Sequence, residues 1–155
     1  MLELRSEFLC TLTGRVAPAR DFGTVGYGQR RFLGAVRGSF EGLRLRGELL
    51  PDGGDWLLTR PDGVQEIDVR LTLCTDDGAL IYVRYGGVRH AEPEVMARMA
   101  RGEQVDASEV YFRITPRFET GHSNYQWLNN IVAVGVGERL SPDAEPDTIG
   151  IRYAL

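Results

Sequence analysis

At 155 residues, 43% hydrophobic and 26% charged, the chain has the size and composition of one globular domain with a single core. Its formal net charge of -4, with no cluster of basic residues free of acids, argues against nucleic acid as a partner. No apolar run approaches the ~20 residues of a membrane-crossing helix, and all 18 basic residues are arginine, which rules out Schiff-base chemistry and a phosphate-loop lysine.

The opening residues lack a basic head followed by an apolar run, so a cytoplasmic protein without a secretory signal is expected. Residues 2–12 then alternate: Leu2, Leu4, Phe8, Cys10 and Leu12 share one parity, against Glu3, Arg5 and Glu7, which predicts a strand. Gly23 to Gly28 invites a phosphate-loop reading. The spacing is not G-x-G-x-x-G and the following residues are strand-like, so a loop at a barrel rim is expected instead.

Strands are predicted over 29–36, 39–49 and 55–59, with a turn at Pro51-Asp52-Gly53-Gly54. Further turns fall at Pro61-Asp62-Gly63 and Asp76-Asp77-Gly78, where proline presets one dihedral and glycine supplies a positive φ. Between and after them, Ile67, Val69, Leu71 and Leu73 oppose Asp68, Arg70 and Thr72, and Ile81, Val83 and Tyr85 oppose Leu80, Tyr82 and Arg84. A long connection over 86–108 carries one helix, opened by Glu92-Pro93 and closed at Gly102. Its Val95/Met99 stripe suits a lid or plug on the barrel. Strands at 110–116, 126–136 and 148–155 complete the series. Eight to ten strands joined mainly by short turns must close or sandwich, which predicts an all-β, closed antiparallel barrel forming one domain over residues 1–155.

Few residues form recognisable chemical motifs. Cys10 and Cys74 sit in apolar strand contexts without a C-x-x-C and read as buried reduced thiols. The aspartates lie beside turn glycines without calcium-loop spacing, and His90 and His122 have no second ligand at metal spacing. No metal or cofactor is therefore expected. The richest segment runs from Tyr111-Phe112-Arg113 through Phe118-Glu119-Thr120 to Tyr125 and Trp127-Leu128-Asn129, and its rings and polar groups could line a pocket. On residue types alone, a solvated strand face with aromatic core packing is the favoured reading.

Several segments together resemble the bacterial family named domain of unknown function 3237: Gly47 to Trp56, Asp68-Val69-Arg70, Thr75 to Val83, Tyr111-Phe112-Arg113, Phe118-Glu119-Thr120, Tyr125, and Trp127-Leu128-Asn129. The likeness runs nearly end to end. It implies a calycin-like barrel with a central cavity but no known activity. One departure is that Gly53-Gly54 leads directly into Asp55-Trp56, where family members commonly have a glycine-alanine pair.

These residues suggest a small-molecule barrel, most simply a metal-free and cofactor-free acid–base enzyme of isomerase, dehydratase or cyclase type acting on a cyclic or aromatic metabolite. Glu119 or Asp55 would carry the proton. Arg113, with Tyr85 or Asn129, would hold an enolate or carboxylate, while Trp56, Tyr125 and Trp127 would pack the ligand. The alternatives are a non-catalytic carrier or sensor using the same cavity, and a dimeric interaction module.

Overall fold

Alternating segments with one apolar face can bury that face only by pairing edge to edge and curling round, and this chain does so. The computed structural model describes residues 2–138 and 147–155. Its strands are β1 (Phe8–Val16), β2 (Arg20–Val25), β3 (Gly28–Glu41), β4 (Arg46–Asp55), β5 (Leu58–Thr59), β6 (Gln65–Thr75), β7 (Leu80–Ala91), β8 (Val110–Ile114), β9 (Arg117–Glu119), β10 (Val134–Gly137) and β11 (Thr148–Ala154). One helix, α1 (Pro93–Ala100), lies in the long connection.

Eight strands close a ring in which every pairing is antiparallel: β1–β3–β4–β6–β7–β8–β10–β11 and back to β1. The short strands are accessories. β2 extends β3 as a hairpin, β5 bridges β3 and β6, and β9 runs beside β7. Among the described residues no helix is long and apolar enough to cross a membrane.

The interior is filled unevenly. At the end where β6 turns into β7, Phe40, Leu73, Ile81, Phe118, Leu128 and Tyr153 are fully buried and plug the tube. A 3-10 turn at Gln126–Asn130 places Leu128 in that plug. Asn129 fastens the turn, because its Oδ1 accepts from the Thr120 amide at 2.8 Å and its Nδ2 donates to the Thr120 carbonyl at 2.9 Å. Towards the other end the lining becomes partly polar.

Several local expectations are corrected. Residues 2–7 form no strand, and Leu2 and Leu4 are fully exposed, since no neighbouring strand offers them a face. Residues 23–28 belong to the β2–β3 hairpin rather than a rim loop. The expected strands 29–36 and 39–49 divide differently, because β3 runs unbroken to Glu41. The stretch 126–136 begins as the 3-10 turn and becomes strand only at Val134.

The Pro51-Asp52-Gly53-Gly54 sequence is a bulge inside β4 and not a turn. Leu49 pairs Leu73 and Gly53 pairs Leu71, so β4 carries two more residues than β6 across that interval. Gly53 has φ +96, and a Cβ there would sit 2.1 Å from the Arg70 carbonyl oxygen. Only glycine fits. Asp55 therefore ends β4, where the sequence had suggested that it begins a strand.

Candidate active site in the open half of the barrel

Pairing register decides which side chains share the inner wall. Asp55 lies opposite Val69, and Val69 lies opposite Tyr85, so the three form one row across β4, β6 and β7. Residues directly opposite in antiparallel strands point to the same side. Because Val69 faces the core, Asp55 and Tyr85 face inward with it. Two steps further along the same parity, Gln65 pairs Arg89, and Arg89 pairs Phe112 on β8.

Asp55, Tyr85, Arg89 and Phe112 border an inner chamber of about 70 Å³ whose remaining wall comprises Arg15 and mainly Leu, Ile and Val. An outer cleft of about 540 Å³ adjoins it, between the α1–β8 connection and strands β8, β10 and β11. Arg89, Phe112 and Ile149 belong to both walls, so the chamber and the cleft meet at Arg89. The long connection thus supplies the cleft's outer side, with Met99 of α1 among the lining residues.

The electrostatics follow from enclosure. Burial pushes the Asp55 carboxyl up from 3.8 to about 6, although the Asp68 amide, donating to its Oδ1 at 3.0 Å, and the Arg89 charge pull the other way. Tyr85 is raised well above its ordinary value, first by burial and then by the Asp55 charge. Burial lowers the Arg89 guanidinium, the Asp55 charge opposes that, and neighbouring Arg31 adds to it. The Tyr153 hydroxyl is wholly buried without a well-formed hydrogen bond, and its ring meets Tyr85 edge-on at 6.4 Å.

Arg89 is held on one side only. Its Nε donates to Gln65 Oε1 at 2.7 Å, and the guanidinium lies 5.4 Å from the Phe112 ring centre. No ion pair joins it to Asp55 among the described residues. Arg89 lines both the chamber and the cleft.

The other residues singled out from the sequence lie elsewhere. Glu119 is exposed and pairs Tyr82 on the outer wall, in an open groove that also includes Thr72 and Asn129. Arg113 is on the outward parity of β8 and covers the Tyr111 ring at 4.8 Å. Tyr125 donates to Asp77 Oδ1 at 2.9 Å, and Trp127 lies beneath Arg44 at 3.8 Å. Trp56 packs on Phe32, with ring centres 4.5 Å apart. The structure brings Asp55 and Tyr85 together and leaves the rest outside the chamber.

Gln65 and Arg89 were missed, though a signal was present. The inward parity of Ile67 to Leu73 continues back to Gln65, and that of Ile81 to Tyr85 continues through Gly87 to Arg89. Polar residues on an otherwise apolar parity mark the place where the lining changes character.

The model of the family described as Protein of unknown function (DUF3237) matches residues 4–153. The chain belongs to the DUF3237 family. Its relatives include the UPF0311 protein RPA1785 of Rhodopseudomonas palustris, 38% identical over 136 residues that cover 88% of this chain and 89% of that protein. The crystal structure of RPA1785, a conserved protein of unknown function, superposes with a TM-score of 0.92 over 99% of this chain and 98% of the other. A β-barrel-like protein from Acinetobacter baumannii, 38% identical, aligns with a TM-score of 0.81 over 97% and 94% of the two chains. A crystal structure described as an enzyme from Penicillium herquei aligns at a TM-score of 0.68 over 97% and 94% of the two chains, with 20% identity, which is a likeness of fold.

Proposed function

We propose that this DUF3237 protein is an acid–base enzyme that needs no cofactor and acts on a cyclic or aromatic small molecule by isomerisation, dehydration or ring closure. Asp55 takes and returns the proton. The observation that supports this most strongly is the Asp55 carboxyl itself, turned into a largely apolar chamber and poised at about 6. A carboxylate in that range is a far better proton acceptor near neutral pH than one in water, and it can also give the proton back. Tyr85, beside it and held protonated by burial, can donate a hydrogen bond to a developing oxyanion. That the same fold occurs in a protein described as an enzyme is consistent with this reading, since one barrel can host many chemistries.

The test requires no knowledge of the natural substrate. A panel of cyclic 1,3-diketones and hydroxyaryl ketones is incubated with the protein in D2O, and exchange of the acidic C–H is followed by proton NMR. Exchange catalysed by the wild type and lost in Asp55→Asn supports the proposal. Compounds that bind but keep their protons, or exchange undiminished in Asp55→Asn, would leave a carrier barrel as the better account.

A further inference from the structure

The chamber is too small for a whole metabolite. Its 70 Å³ falls well below the roughly 300–1,000 Å³ typical of small-molecule pockets. The cleft, at about 540 Å³, falls in the range of roughly 300–1,000 Å³ typical of small-molecule pockets. A ligand that uses both must place a compact head inward and a larger body outward, and the junction it crosses is bordered by Arg89.

We propose that Arg89 is the anion-binding residue of this site and that its substrate is a two-part molecule. The body is apolar or aromatic and rests in the cleft against Phe112, Ile149 and Met99. The head carries a carboxylate or an enolisable carbonyl oxygen, which lies between Arg89 and Asp55. The inference rests on the acid–base reading in placing the reacting head beside Asp55, and it adds the chemical class of what is bound.

Three features carry it. Gln65, itself buried, accepts from the Arg89 Nε, and among the described residues the terminal amino groups have no hydrogen-bond partner. Those amino groups present the paired donors that fit a carboxylate in a bidentate manner. Arg31 stands near enough to act on the Arg89 charge, and its buried Nε has no hydrogen-bond partner among the described residues, so a second guanidinium reinforces the positive charge at this position. Of the four acids that line the cleft, three are already engaged: Glu103 with Arg101, Asp106 with the Ser108 amide and hydroxyl, and Glu138 with the Thr11 hydroxyl; Asp147 is the fourth. A ligand oxyanion therefore meets unspent donors at the junction.

Phenylacetate and its neutral counterpart phenylacetamide have the same shape and differ in charge, and their binding can be compared by isothermal titration with the whole protein. Wild type is expected to bind phenylacetate at least tenfold more tightly. Arg89→Met is expected to remove that preference. Gln65→Glu keeps the acceptor for Nε but pairs the guanidinium internally, and it too should remove the preference, which covers the case in which Arg89→Met does not fold. Equal affinities in wild type, no binding of either compound at millimolar concentration, or a preference that survives in the folded variants would overturn the proposal. If proton exchange proves independent of Asp55 while the preference persists, the acid–base reading fails and anion binding stands.

Discussion

Asp55 and Tyr85 stand on either side of Val69 in one inward row, and their ionisations are linked: the aspartate charge helps to hold the tyrosine proton in place. Neither group is in a favourable setting for folding alone. A carboxylate beside aliphatic walls is disfavoured when charged, and groups of this kind concentrate where a protein gives up stability for chemistry.

That opposition has a measurable sign. In the folded chain Asp55 holds its proton up to about pH 6, and in the unfolded chain only to 3.8. Its contribution to stability is thus fully present below about pH 4 and is lost as pH rises through 6, by up to about 3 kcal/mol. Asp55→Asn keeps an oxygen to accept from the Asp68 amide and carries no charge. Its thermal midpoint is expected to exceed that of wild type at pH 7.5 and to match it near pH 4, as differential scanning calorimetry at the two pH values would show.

With Asp55 as the base, the rate of proton abstraction should follow its ionised fraction. kcat/KM for an exchanging ketone is expected to rise tenfold per pH unit below about 6 and to level off above it. A profile flat between pH 4.5 and 7.5 would assign the proton to another group.

The bulge that ends β4 sets where Asp55 points. Gly53→Ala puts a Cβ 2.1 Å from the Arg70 carbonyl oxygen at a φ of +96, and the strand must shift. The dihedral alone costs roughly 1–2 kcal/mol. The variant is expected to lose at least that much in urea denaturation and to lose proton exchange as well, because Asp55 leaves its row. Full exchange in a destabilised Gly53→Ala would separate the bulge from the site.

Much of the architecture was legible because it rests on period-two patterning. Ile67 to Leu73 and Ile81 to Tyr85 alternate in the sequence and face the core as the pattern demands. Asp55 and Tyr85 were also within reach, and both lie in the chamber row. Other features depend on relations that no single segment contains. The glycines at 53 and 54 look like a turn until β6 is set beside them, since the same positive φ serves a turn or a bulge. Trp127 and Asn129 carry residue types suited to a pocket, but the 3-10 turn uses Leu128 as the plug and Asn129 as the clamp on Thr120. Glu119 is adjacent to the core residue Phe118, and one step in a strand turned it outward.

The plug makes its own prediction. Leu128 is fully buried among core side chains at the closed end. Leu128→Ala is expected to destabilise the fold by about 2–5 kcal/mol in chemical denaturation. Because Leu128 lines neither the chamber nor the cleft, binding of phenylacetate by the folded fraction should be unchanged. A parallel loss of binding would show that the two ends are coupled.

The most direct test of the account is a carbon-13 NMR titration of the Asp55 side-chain carboxyl in the intact protein, with Asp55→Asn used to assign the resonance. The carboxyl is expected to titrate near pH 6, coupled to a small shift at the Tyr85 ring. A midpoint below 4 would mean a carboxylate open to bulk water, and with it the proton-transferring chamber would be refuted.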